Sequence, residues 1–202
     1  MASKVLVTPK GKIGWNHIKE PATFKGSPIG YDVEVILNKQ EDEDFLNKLQ
    51  ALLDAEYSKE IEKLKAKKKF GEAKALIVNS PFKIVYNEAG EETDEVILKF
   101  QQKVKDLVTP PQFVVVDNKK EKITDLDFIP KNSLIKVAFV PKFWSFGGKS
   151  GLSLLLKGIQ IIELRDKDYV PEEEVVDVFG TEEGGDPFAT ETPDPFTDKG
   201  DF

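Results

Sequence analysis

Leu134-Ile135-Lys136-Val137-Ala138-Phe139-Val140-Pro141-Lys142-Phe143-Trp144 decides the fold class. Ile135, Val137 and Phe139 alternate with Lys136 and Ala138. That is the period of two expected of a half-buried strand, with one face in a core and the other toward solvent. Lys142 and Trp144 continue the solvent face. Gly147-Gly148-Lys149-Ser150-Gly151 follows as a hairpin loop, and residues 152–164 return as a partner strand in which Gly158 predicts a bulge.

Upstream the same period recurs. Phe113-Val114-Val115-Val116 reads as a short buried strand turned by Asp117-Asn118-Lys119-Lys120. Residues 95–105 place Val96, Leu98, Phe100 and Val104 on one side and Lys99, Gln101, Lys103 and Lys105 on the other. Residues 82–86 form a further strand, Tyr31-Asp32-Val33-Glu34-Val35 alternates strictly through to Leu37, and Val5-Leu6-Val7 makes a short first strand. Residues 9–30, rich in Gly and Pro, read as strand fragments and turns. One segment has helical spacing: Phe45, Leu46, Leu49, Leu52, Leu53, Tyr57, Ile61 and Leu64. Asn38 is placed to cap it, residues 41–44 put four acids in its first turn, residues 63–69 make its C-terminal end positive, and Gly71 can stop it. Many short strands around one long helix predict a mainly β fold, a small closed or partly open barrel with one added helix.

The 202 residues include 29 basic and 36 acidic side chains, for a net charge of −7, with no Cys and a single His, His17. Without Cys there is no disulfide scaffold, thiol nucleophile or Cys-ligated metal, and one His makes a Ser–His–Asp triad a poor fit. No apolar run exceeds four residues and the first residues lack an apolar core, so neither a membrane span nor a secretory signal is expected. The charge is unevenly distributed. Up to Leu164 the balance is +3, and from Arg165 onward it is −10. All cations but Arg165 are lysines, which bind phosphate as point charges and do not fork onto base edges.

This organisation predicts a folded domain over residues 1–169 and an acidic tail over residues 170–202, whose low aliphatic content and high charge predict disorder. The tail nonetheless spaces aromatic residues at Phe179, Phe188, Phe196 and Phe202, two of them within Asp-Pro-Phe. Acid with regularly spaced Phe reads as a partner-binding peptide, with Phe188, Phe196, Asp198, Asp201 and Phe202 as its contacts.

Gly148-Lys149-Ser150 lacks the earlier Gly of a phosphate-binding loop and sits between two strands. Asp117, Asp125 and Asp127 could serve a metal-dependent nuclease, but isolated acids in turns are far commoner. No pattern supports catalysis, and no cofactor is implied. The surviving constellation is aromatic rings interleaved with lysines: Lys136, Lys142, Phe143, Trp144, Phe146 and Lys149 in one stretch, Lys12, Trp15, His17, Lys19, Phe24 and Lys25 in another, and Lys99, Lys103 and Lys105 on one strand. Bases stack on exposed rings while ammonium groups follow phosphates, a pairing suited to single-stranded nucleic acid. The alternative is that both Trp rings belong to the core. Lysine alone does not separate single- from double-stranded DNA. A rival reading is a non-catalytic interaction module acting through its Asp-Pro-Phe tripeptides.

Residues 113–117, Leu134-Ile135-Lys136-Val137, Val140-Pro141 with Trp144, Ile161-Ile162-Glu163-Leu164 and the ending Gly200-Asp201-Phe202 resemble the replication single-stranded DNA-binding proteins of bacteriophage T7 and related phages. Ile18-Lys19-Glu20-Pro21 and Tyr31-Asp32-Val33-Glu34 are similar too, whereas residues 38–111 depart from the family, as does the repeated Asp-Pro-Phe. The resemblance implies an oligonucleotide/oligosaccharide-binding (OB) barrel of five strands with additional strands. It further implies sequence-independent single-strand binding in phage DNA replication and recombination, no enzymatic activity, and a homodimer with strand-annealing activity. An acidic tail would contact DNA polymerase and helicase-primase, and the protein would act in the cytoplasm of the bacterial host cell.

Overall fold

A computed structural model describes residues 4–166 of the chain. The chain divides into Met1–Lys167 and Asp168–Phe202, and the second unit, with its tail aromatics, lies outside the described residues. In order, the elements are β1 (Leu6–Val7), β2 (Gly11–Phe24), β3 (Ser27–Asn38), α1 (Glu43–Ala66), α2 (Phe70–Ala75), β4 (Ile77–Val78), β5 (Lys83–Tyr86), β6 (Glu92–Lys103), β7 (Val114–Val116), β8 (Leu134–Phe146) and β9 (Lys149–Glu163).

Five strands close on themselves: β2 pairs β3, β3 pairs β6, β6 pairs β9, β9 pairs β8, and β8 returns to β2. All contacts are antiparallel except β6–β9. Renumbered within the barrel, the order is 1-2-3-5-4-1, the OB arrangement. The short strands β1, β4, β5 and β7 add to its edges. The sequence expectation of a barrel with extra strands and one long helix therefore holds. Among the described residues, no helix is long and apolar enough to cross a membrane.

Alternation fills the interior. Val33 and Val35 of β3, Leu98 and Phe100 of β6, and Ile135, Val137 and Phe139 of β8 are fully buried. Phe100 and Phe139 meet at 5.0 Å between ring centroids. Helix α1 buries Leu46, Leu49 and Leu53, spaced 3 and 4 apart, with Leu46 and Leu49 joining this core, and Phe45 stands edge-on to Phe139. Its apolar stripe is narrower than the sequence suggests: Leu52 is exposed.

Several local expectations are corrected. Residues 9–30 are not fragments: β2 is one 14-residue strand whose register shifts between Ile13 and Asn16, between His17 and Ala22 and between Ala22 and Thr23, with Gly14 and Pro21 inside the first two irregularities. The β8–β9 turn is only Gly147-Gly148, both at positive φ, so residues 149–151 belong to β9. Phe113 lies outside β7, which is itself half exposed and joins β9 in parallel outside the closed barrel. Gly71 does not end the long helix. The Lys69 N–H reaches the Leu64 carbonyl and the Lys68 N–H reaches the Lys65 carbonyl, a Schellman close with Lys68 at φ 58°, and Gly71 lies inside α2. The Gly158 bulge is present: Ala138 faces Gly158 and Phe139 faces Leu156, so Lys157 is the extra residue.

Gly30 shows how tightly the barrel is drawn. At φ 138° its position admits no side chain without strain, and a Cβ there would lie 2.2 Å from the Gln102 carbonyl oxygen of β6. Gly30→Ala is expected to cost about 3 kcal/mol, through both left-handed backbone and overpacking. Urea unfolding with an unchanged midpoint would contradict this.

Candidate nucleic-acid interface

Strands β2, β3 and β6 present one outward face. With Val33, Val35, Leu98 and Phe100 turned inward, the alternate positions Asp32, Glu34, Lys99, Gln101 and Lys103 face out. In OB barrels this face, with the adjoining loops, is where oligonucleotides bind.

Trp15 lies in the β2 bulge, between Ile13 and Asn16, and is 65% exposed. The Lys131 ammonium sits over it, 5.0 Å from the ring centroid. Lys131 arrives there because the loop before β8 is tied to β2. The Asn16 amide donates to the Ile129 carbonyl at 2.8 Å and its oxygen accepts the Ile129 N–H at 3.1 Å. No sequence signal marks Lys131, since the loop is more than a hundred residues away along the chain.

His17 and Lys99 share one carboxylate. Asp32, only 8% exposed, accepts from His17 Nδ1 at 2.7 Å on one oxygen and from Lys99 Nζ at 2.6 Å on the other. Against an ionised carboxylate His17 donates from Nδ1, and its Nε2 has no hydrogen-bond partner among the described residues. Lys19 is held by Asp127, whose hydrogen bond and charge raise the Lys19 ammonium above its usual range. Lys12 lies 3.6 Å from Glu95. Of the lysines expected on this face, Lys12, Lys19 and Lys99 are thus partly neutralised. Lys103, and Lys105 just beyond the end of β6, have no carboxylate within 4 Å among the described residues. Asp32 is the residue that sequence reasoning missed: its acid charge looked like ordinary surface alternation.

At the tip of the β2–β3 hairpin, Lys25 (φ 51°) and Gly26 (φ 79°) form the two-residue turn. Phe24 is exposed beside it, with the Lys25 ammonium 5.5 Å from its ring centroid.

The second set of expected residues is on the β8–β9 hairpin. Lys142, Trp144 and Phe146 alternate on one side of β8, while Phe143 turns to the other side and is half-buried opposite Leu152. Trp144 is 36% exposed and rests on Gly151 across the hairpin: a Cβ at Gly151 would stand 3.0 Å from the indole ring. Phe146 is 86% exposed. Lys149 pairs in register with Ile77 of β4. Lys136 shares the outward side of β8 with Trp144 but is half-buried opposite Gln160. Eight residues of strand separate the two by about 27 Å, too far to act on one nucleotide.

Both Trp rings are therefore at the surface and not in the core. Two of the three candidate acids for metal chemistry are otherwise engaged. Asp117 accepts the N–H groups of Lys119 and Glu121 in its turn, and Asp127 holds Lys19. Among the described residues no three His, Asp or Glu side chains gather as a metal site.

No family model and no curated protein matches this chain in sequence. Solved structures do match in shape. The crystal structure of gp2.5, a single-stranded DNA-binding protein encoded by bacteriophage T7, superposes with a TM-score of 0.61 at 17% identity, over 91% of this chain and 98% of that one. The single-stranded DNA-binding protein of bacteriophage Enc34 in complex with ssDNA gives 0.54 at 8% identity, over 82% and 89%. A C-terminal truncation of the Enc34 protein gives 0.51 at 10% identity, over 80% and 87%. The chain is thus similar in fold to two phage proteins named for binding single-stranded DNA.

Proposed function

We propose that this protein binds single-stranded DNA without sequence preference and serves phage DNA replication and recombination. The observation that carries the reading is the exposure of Trp15 and Trp144, each beside lysines, on a barrel of OB topology. Rings at the surface offer stacking platforms that accept any base, each worth about 1–3 kcal/mol, and lysines supply phosphate contacts of matching indifference. The fold shared with the two phage proteins supports the same reading.

In this reading the strand contacts Trp15, Phe24, Lys25, Lys103 and Lys105 on and beside the barrel face, and Lys142, Trp144, Phe146 and Lys149 on the hairpin. His17 and Lys99 contribute through Asp32, and a phosphate competes with that carboxylate for their protons. Lys12 and Lys19 act when a phosphate displaces Glu95 and Asp127. The tail of residues 170–202 carries charge opposite to that of the body and has aromatics of its own. Tethering gives it a high effective concentration, so it competes with DNA. Strand binding displaces it and frees Phe188, Phe196, Asp198, Asp201 and Phe202 for replication proteins such as polymerase and helicase-primase. The protein is intracellular in the bacterial host and acts as a homodimer.

Anisotropy of a labelled single-stranded oligonucleotide across salt, with the full chain and with a chain ending at Val170, tests both parts. The shortened chain is expected to bind more tightly at low salt. Contact with about four phosphates gives a log–log salt slope near −3. Equal affinity for the two chains would remove the competition, and no binding by either would leave the Asp-Pro-Phe tail as the functional element.

Trp144→Ala is expected to weaken binding about tenfold on oligo(dT) and oligo(dC) alike. Gly151→Val, whose added atoms push the indole off its seat, should act in the same direction with a smaller loss. Tryptophan fluorescence is expected to quench on DNA in the parent chain, and an unquenched signal would sink the stacking role of both rings.

A further inference from the structure

From Lys59 to Lys74 the chain carries seven lysines against three glutamates, a charge of +4 over 16 residues. The segment is the end of α1, its Schellman close and all but the last residue of α2. The three glutamates do not cancel it. Lys63 holds Glu60 at 3.0 Å and Lys69 holds Glu72 at 2.8 Å, whereas Lys65, Lys67, Lys68 and Lys74 have no carboxylate within 4 Å among the described residues. All four are exposed. Helix-dipole complementarity accounts for one or two cations in a last turn, not for consecutive lysines running past the helix end.

Two further features separate this elbow from a solvated helix terminus. Phe70, the first residue of α2, is 63% exposed directly after Lys67-Lys68-Lys69. The elbow is also bound to the β8–β9 hairpin. The Ile77 N–H, just after α2, donates to the Gly148 carbonyl at 3.0 Å, and β4 runs alongside β9 at Lys149 and Ser150. Between elbow and hairpin tip lies a cleft of about 480 Å³ lined by Leu64, Leu76, Phe146 and Gly147 and by Glu60 and Glu72, whose carboxylates are held by Lys63 and Lys69. Phe146 is two residues beyond Trp144 on the same side of β8, about 7 Å further along the strand.

We infer that the α1–α2 elbow is a second contact for single-stranded DNA, continuing the path that leaves Trp144. The strand passes Phe146 and crosses the cleft. Its phosphates are then held by Lys65, Lys67 and Lys68, with a base on Phe70. The inference rests on the reading of the preceding section and extends its footprint onto the helical segment. A polyanion is the occupant that the charge selects, and the exposed ring with its continuity to Trp144 selects a strand with unpaired bases.

The test uses the full chain, salt-dependent anisotropy and a single-stranded oligonucleotide long enough to span both contacts. At about 0.7 per phosphate, replacing Lys65, Lys67 and Lys68 together by Gln is expected to make the log–log slope shallower by about 2. Phe70→Ala is expected to lower affinity about tenfold without changing the slope. Lys68→Gly separates binding from folding. Gly relieves the positive φ, so the melting temperature should rise while the slope still falls by about 0.7. Unchanged slopes in a parent chain that binds would overturn the elbow and leave the barrel reading standing. Slope losses of equal size on blunt duplex, with Phe70→Ala silent, would overturn the single-strand assignment. Absence of binding by the parent would remove both.

Discussion

Closure of the sheet between β2 and β8 is the constraint on which the other features depend. Gly11 faces Ile135 at that seam while β3 presses from the other side, and a Cβ at Gly11 would come within 2.6 Å of the Ile36 carbonyl oxygen and the Val35 side chain. Only a residue without a side chain lets β2 serve both neighbours at once. Once closed, each barrel strand has an inside and an outside, and the period of two becomes a sorting rule. Val33, Leu98 and Val137 go in; Lys99, Lys103 and Lys142 go out. The bulges of β2 and β9 then re-aim individual residues, and Trp15 owes its exposure to one of them.

The electrostatics of the barrel face follow from Asp32. A largely buried carboxylate without partners would be costly, and two donors on its two oxygens meet that cost. In return, His17 and Lys99 are held in fixed positions on an otherwise mobile class of side chain. The same carboxylate cancels part of the charge it organises. The barrel face is therefore ordered but weakly positive, while Lys142 and Lys149 on the hairpin have no carboxylate within 4 Å among the described residues. On the proposed function, positioning and attraction are divided between the two sets of residues.

The fold was legible where a short-range rule governs it. Alternation along residues 95–105 and 134–144 located two strands and their faces, although β6 runs from Glu92 to Lys103 and leaves Val104 and Lys105 outside, and the spacing of Leu46, Leu49 and Leu53 named the helix. Legibility failed where a distant partner decides. Residues 11–24 contain Gly11, Gly14 and Pro21, which read locally as turns, yet pairing with β3 holds them in one strand. Gly71 looked like the helix stop, but the chain closed the helix at a lysine several residues earlier. For the candidate site, residue types and faces were visible and ion pairing was not. Asp127 reaches Lys19 across more than a hundred residues, as Lys131 reaches Trp15, and no local pattern encodes either contact.

Among the described residues, four positions other than Gly have positive φ: Lys25, Lys68, Lys120 and Asn132. Asn is a common occupant of that conformation, because its short amide bonds locally; lysine is not. Lys25 occupies a hairpin turn, Lys68 the position after a helix where Gly is the usual choice, and Lys120 the turn organised by Asp117. Glycine would fit each without strain, whereas a residue with a Cβ gives up about 1 kcal/mol. Three such positions together are a sizeable part of the 5–15 kcal/mol that holds an ordinary domain folded. All three side chains are exposed, and only Lys25, over the Phe24 ring, has a ring contact among the described residues. On the proposed function, a phosphate backbone contacting the Lys25 and Lys68 turns would give the positive charge there a use that glycine lacks.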